Sequence, residues 1–195
     1  MTLVETMIAL AIFVVVIIAV GAFQASVYSH QRTASGSFQT AQDAQIILKT
    51  IMSELRSAAP GMNGAYTIIS AGTSSISFFS DANNDGKTEQ IGYRILGSTL
   101  YRTSIPPTGT PPVYLLANQS TTTLMVNVRN ATSTPAFQYF DQFYTGTSSP
   151  LSSPVNVSLV RLVQVSLTLD VDPKISPVAR TYTVQVGLRN LKTNL

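Results

Sequence analysis

From Met1 to Phe23 the chain runs through a membrane-length apolar stretch that carries a single ionisable side chain, Glu5. In lipid such a run has one open-chain solution, a helix, because only a helix satisfies every backbone N–H and C=O from within its own segment. About 17 to 25 apolar residues cross a bilayer in that form. A charged side chain deep in hydrocarbon costs roughly 3 kcal/mol on insertion scales, so Glu5 calls for a compensating partner.

Two ordinary readings compete for this segment. A secretory signal begins with a positively charged region and ends at a small-residue cleavage site; here no basic residue precedes His30 or Arg32, and Glu5 stands where Lys or Arg belongs. A simple single-pass anchor fits the length and leaves Glu5 as an incidental interfacial acid. Basic residues after the segment and none before it would place the carboxyl side in the cytoplasm, a conflict that a removed basic leader resolves.

The opening Met1-Thr2-Leu3-Val4-Glu5 resembles the mature start of the type IV pilins and of the related pseudopilins of type II secretion. That resemblance implies that a prepilin peptidase trims a basic leader before Met1 and that the new amine is methylated. It also implies that Glu5 compensates the Met1 amine of a neighbouring subunit, drawing each copy into register as it leaves the inner membrane for a growing filament. Two opposite charges about 4 Å apart attract by roughly 4 kcal/mol at an effective dielectric near 20, enough to bias register but not to hold a filament. Packing of apolar helices supplies the rest.

The chain has 195 residues, 45% of them hydrophobic, which leaves room for one soluble domain with a real core beyond the apolar segment. There is no cysteine, so no disulfide and no sulfur-ligated metal is available. Many pilins close a carboxyl-terminal loop with a disulfide; this chain departs from them there. The formal charge of +3 is spread over residues such as Arg56, Lys87, Arg102, Arg161 and Lys192 without a basic run, so nothing supports nucleic-acid binding.

Past Phe23 the sequence turns polar around Ser29 to Ser37 and then regains helical rhythm, with Ala44, Ile47, Leu48, Ile51 and Leu55 at three- and four-residue spacings. Asp43, Lys49, Glu54 and Arg56 are expected off that stripe. The helix is expected to end near Ala59, ahead of Pro60 and Gly61, and a continuous helix from Thr2 would be about 85 Å long at 1.5 Å per residue. Soft points lie at the β-branched run Val14 to Ile18, at Gly21 and at Ser35-Gly36-Ser37. Gly21 either marks a stretch that melts in the assembled filament or permits close helix packing within the membrane.

From Tyr66 the period changes to alternation, the signature of antiparallel strands. Ile91, Tyr93 and Ile95 alternate with Gly92 and Arg94, and Gly97-Ser98 suits a tight turn into Thr99 to Thr103. The runs Val163 to Leu169 and Tyr182 to Leu188 read as a closing hairpin. The expected fold is α+β: a long N-terminal helix, 1–59, divided into a transmembrane or filament-core part at 1–23 and an amphipathic stalk at 24–59, packed on an antiparallel β head, 60–195.

Asp81-Ala-Asn83-Asn-Asp85-Gly86-Lys-Thr-Glu89 is the segment that most looks like a chemical site. Oxygen ligands at alternate positions with a turning glycine match the opening of a calcium loop. The match is incomplete, because the twelfth position, where an EF-hand has its bidentate acid, is Gly92. Either Asp81, Asn83, Asp85 and Glu89 hold a structural calcium ion, as shorter loops do in some pseudopilins, or the segment is an Asx-rich hairpin turn. With Phe78-Phe79 before it and Ile91-Gly92-Tyr93 after it, the stretch also resembles the W- and J-type minor pilins and pseudopilins.

Asn118, Asn130 and Asn156 each open an N-glycosylation pattern, which a chain this rich in Ser and Thr also produces by chance. No nucleophile or acid neighbours His30, and no phosphate-cradling glycine loop appears, so no enzymatic activity is expected. The expected function is that of a structural filament subunit, a homo-oligomer formed through residues 1–55 and handled by pilus or secretion machinery. A J-like minor pseudopilin and a membrane-anchored binding module that never polymerises are the alternatives. Asp141, Asp170 and Asp172 are expected at turns or strand ends.

Overall fold

The computed structural model describes residues 2–131, 133–170 and 179–191, excepting the side chains of residues 29, 30, 32–38 and 190. The first element, helix α1, runs from Leu3 to Arg56. It contains no proline and passes without interruption through Gly21 and through Ser35 to Ser37, so the soft points do not break it in the isolated chain. It stops three residues earlier than the sequence suggests, because Ala59 leaves the helix and donates its N–H to Phe79 O at 3.0 Å. The Ser57 hydroxyl closes the last turn by donating to Ser53 O at 3.1 Å.

The chain divides into two compact units, residues 1–40 and 41–195, so the sheet-bearing unit begins inside α1. Within the second unit the strands are β1 (Ile68–Ala71), β2 (Ser75–Ser80), β3 (Glu89–Leu96), β4 (Thr99–Ile105), β5 (Ser120–Met125), β6 (Phe137–Phe140), β7 (Leu162–Leu169) and β8 (Arg180–Gly187). They form two antiparallel sheets, a five-stranded meander β1-β2-β3-β4-β5 and a three-stranded sheet β6-β7-β8. The architecture is therefore α+β, as its patterning predicts, with the β part divided in two.

Period-two alternation explains the strands. In β3 and β7 the inward positions Ile91, Tyr93, Val163, Val165, Leu167 and Leu169 are all buried. The β3–β4 hairpin turns through Gly97 and Ser98, with Leu96 opposite Thr99. Gly97 has φ +61°, a left-handed conformation that a residue with a Cβ adopts only at a cost. The expected closing hairpin is β7–β8, paired from Leu162↔Gly187 to Leu169↔Arg180.

Ala44, Ile47, Leu48, Ile51 and Leu55 of α1 join Ile68, Phe78, Ile91 and Leu100 of the larger sheet and Val163, Val165 and Val186 of the smaller in one buried cluster. Fully burying one Ile or Leu contributes about 1.5–3 kcal/mol, so this stripe holds the second half of α1 to the sheets. Tyr139 links the sheets directly, its hydroxyl donating to Gly72 O at 2.9 Å.

Burial pushes the phenols of Tyr93 and Tyr139 above their ordinary value, and for Tyr93 the Glu54 carboxylate pushes the same way. A raised folded value means that their contribution to stability is complete below the unfolded phenol value near pH 10 and is lost as pH rises through the folded one. Each phenol then removes about 1.4 kcal/mol per pH unit above pH 10. In an ultraviolet titration of the eight tyrosines, two are expected to ionise only together with unfolding. Titration of all eight before unfolding would contradict this.

Candidate functional site

Met1 lies outside the described residues. Glu5, in the first turn of α1, reaches back to the start of its own helix, where its Oε2 accepts the backbone N–H of Thr2 at 3.3 Å. The Thr2 carbonyl in turn accepts Glu5 N–H at 3.0 Å and Thr6 N–H at 3.3 Å. Thr2 and Glu5 have the spacing of a capping box, in which an N3 carboxylate satisfies an orphan N–H at the helix start. An acid here also complements the positive end of the helix dipole. Glu5 thus has a local structural role that the reading in terms of an intersubunit partner omits, although Thr2-x-x-Glu5 carries its signal.

The segment Leu3–Tyr28 is long and apolar enough to cross a membrane, with a mean hydropathy of 2.9 and none of it buried by the rest of the chain. Leu3 is 77% exposed, Leu10 69% and Phe23 69%. A helix apolar all round and uncovered by its own protein requires lipid or other chains around it. The span extends five residues past Phe23, the limit expected from sequence. The side chains of His30 and Arg32 lie outside the described residues.

The loop 81–88 connects β2 to β3, and Glu89 is the first residue of β3. Asp85 N–H lies 3.1 Å from both Asp81 Oδ1 and Asn83 Oδ1, which brings these two side chains together. Asp81 Oδ2 also accepts Gly86 N–H at 3.0 Å, and Asp85 Oδ1 accepts Lys87 N–H at 2.9 Å. Glu89 turns away from them, is buried, and accepts Ala82 N–H at 3.0 Å through Oε2. Among the described residues no three His, Cys, Asp or Glu side chains group as a metal site.

The loop is therefore closed by its own N–H donors, with Asn84 and Gly86 in the left-handed region (φ 57° and 82°). Asp81 Oδ1 and Asn83 Oδ1 converge on the Asp85 N–H, Asn83 Nδ2 donates to Asp85 Oδ2 at 3.1 Å, and none of the three side chains is buried. Because backbone N–H groups of Asp85, Gly86 and Lys87 already engage the Asp81 and Asp85 oxygens, a chelator is expected to move the melting temperature by no more than about 1 °C. A drop of several degrees restored by calcium would assign the ion to this loop.

Asn118 and Asn156 are exposed, so both glycosylation patterns are accessible. Asn130 differs. Its Nδ2 donates to Ser166 O at 2.8 Å and to Thr134 O at 3.0 Å, while its Oδ1 accepts Thr168 N–H at 3.0 Å. A glycan on Asn130 would replace one amide hydrogen and break at least one of these donor bonds. Asp141 follows β6 and accepts Phe143 N–H at 2.9 Å, whereas Asp170 follows β7 and lies 3.6 Å from Arg129 Nε. Asp172 lies outside the described residues.

One expectation is overturned. Asp43, Lys49 and Arg56 are exposed, but Glu54 is buried against β3 and β4. Its Oε1 accepts Arg102 Nη2 at 2.7 Å and Arg102 Nε at 3.0 Å, and its Oε2 accepts the Tyr93 hydroxyl at 2.5 Å. Arg102, directly opposite Tyr93 across the β3–β4 pair, is held above its usual value by those carboxylate contacts against the desolvation that opposes them. Spacing carried the signal: Glu54 follows Ile51 by three residues and Ile47 by seven, which keeps it on the apolar stripe.

Compared with known proteins, the chain matches no family model, and no curated protein sequence matches it significantly.

Proposed function

We propose that this protein is a structural subunit of a type IV pilin-like filament, held in the inner membrane by its apolar helix before assembly and displayed at the cell surface afterwards. The observation that carries the reading is the uncovered span Leu3–Tyr28 with one acid, Glu5, at its edge. Lipid satisfies such a helix before assembly, and the same helices of sibling copies satisfy it in a filament. Burial of the apolar faces drives stacking. Pairing of Glu5 with the amine at residue 1 of the next copy sets register.

The absence of cysteine provides a clean test. A variant carrying both Ala9→Cys and Val16→Cys is expected to yield a ladder of disulfide-linked multimers on oxidation of surface material, because a polymer repeats one heterologous contact and each copy then links once to the copy on either side. Exclusively monomeric protein would indicate a simple anchor, and a single cross-linked pair with another protein would indicate a cap of the J-like kind.

A further inference from the structure

Each sheet has two edge strands, and one edge of each is covered. Along the outer side of β6, Tyr139 O accepts Leu151 N–H at 2.8 Å and Phe137 N–H reaches Thr73 O at 3.0 Å. Beside β1 lies the 3₁₀ turn Val157–Leu159, where Ser158 O accepts the Tyr66 hydroxyl. The remaining edges are β5 and β8.

Their backbone groups point away from their own sheets. Leu188 N–H bonds Arg161 O at 2.9 Å, so by alternation Val186, Val184 and Tyr182 turn their backbone to β7, and Thr181, Thr183 and Gln185 turn theirs outward. On the larger sheet the two-residue turn Gly97-Ser98 makes Leu96 and Thr99 a hydrogen-bonded pair. Tyr101 and Thr103 therefore bond β3, Arg102 and Ser104 bond β5, and Thr121 and Thr123 are left facing outward. No backbone group among the described residues pairs with the outward side of these five residues.

Exposed edges are usually blunted by charge, proline or short length. Strand β8 runs for eight residues with one charge, Arg180 at its start, and β5 runs for six with none; neither contains proline. The register shift of β5 against β4 falls past Thr123. Loss of charge and exposed apolar side chains are the marks of an interface core. No Asp, Glu, Lys or Arg occurs from Thr103 to Val128, and Leu116 and Val126, 75% and 58% exposed, flank β5. Phe143, 73% exposed, adjoins Tyr144, whose hydroxyl accepts Gln185 Nε2 of β8 at 3.0 Å.

We infer that β8 of one copy pairs antiparallel with β5 of the next, joining successive heads edge to edge; the inference rests on the filament reading. Antiparallel pairing sets outward-bonding residues opposite one another with side chains on a common face. Thr121 and Thr123 then meet Thr181, Thr183 and Gln185, all exposed on the sides of their sheets away from the core, and the solvated faces continue from copy to copy. A parallel match would set those threonines against the core-facing Tyr182 and Val184. One bare edge on each sheet gives a copy two different surfaces, as a repeating heterologous contact needs.

The chain has no cysteine, so cross-linking of surface material with a short bismaleimide reads the contact. Thr121→Cys combined with Thr183→Cys is expected to give a multimer ladder, and each single variant only monomer. A ladder from the Ala9→Cys and Val16→Cys helix pair without one from the head pair would overturn this inference and leave the filament reading standing. Dimers from Thr183→Cys alone would also overturn it, by showing β8 paired with itself. Absence of both ladders would overturn the two readings together. Thr183→Pro removes one outward N–H, leaves the β7 ladder whole and should lower filament yield about tenfold, whereas Thr183→Ala keeps that N–H and should assemble normally. Equal yields from these two would contradict the pairing. Thr121→Lys, which puts a charge on the β5 edge, gives the same reading if proline lowers the melting temperature.

Discussion

Glu5→Gln is expected to leave the protein in the membrane fraction and to lower filament yield by about tenfold or more, the effect of losing roughly 1.4 kcal/mol of pairing at each subunit addition. Gln is the informative replacement because the observed bond from Thr2 N–H to Glu5 Oε2 needs only an acceptor. A glutamine at the N3 position keeps the cap while discarding the charge. Glu5→Ala removes both, and losing the cap itself costs about 1 kcal/mol of helix stability. If Gln at residue 5 assembles as well as Glu while Ala fails, the acid serves its own helix and the register role is wrong. If both fail alike, charge is what assembly requires.

Glu54→Ala is expected to destabilise the sheet-bearing unit by about 2–4 kcal/mol, because it strands the Tyr93 hydroxyl and the Arg102 guanidinium that the carboxylate now joins. The figure lies below that for a fully dry pair, since the Arg102 side chain retains 21% of its exposure. For a unit of this size the melting temperature should fall by about 5–12 °C. Tyr93→Phe removes one neutral donor and should cost about 1–2 kcal/mol. The joint change Glu54→Leu with Arg102→Met, which leaves no orphan charge, should recover most of the loss. Thermal denaturation by circular dichroism decides, and a Glu54→Ala effect under about 0.5 kcal/mol would show that the network is not the clasp between α1 and the larger sheet.

How legible the chain is depends on the range of the interaction. The apolar span, the α1 stripe from Ala44 to Leu55, the β3–β4 turn at Gly97-Ser98 and the β7–β8 pairing follow from local spacing, because helices and hairpins join residues near in sequence. The division into two sheets is long-range: β5 pairs back on β4, while β6 passes to β7 across the segment 141–161. Nothing local in Phe137 to Phe140 announces that choice. The Glu54–Arg102 pair joins residues far apart in sequence, and charge alone placed Glu54 on the wrong side of α1. For Glu5 the structure adds a local partner, the Thr2 N–H, which the Thr2-x-x-Glu5 spacing announces. The loop at Asp81 to Glu89 shows its turn chemistry plainly, but that Glu89 bonds Ala82 and not the Asp81–Asp85 cluster is decided by the strand that Glu89 begins.

The most direct measurement of the central claim is electron microscopy of filaments sheared from the cell surface, with their subunit identified by mass spectrometry. The account predicts helical filaments built from repeated copies of this chain, with residues 1–55 of neighbouring copies packed together in the core. Recovery of the chain solely as a detergent-extracted membrane monomer, from cells whose filaments lack it, would contradict the account.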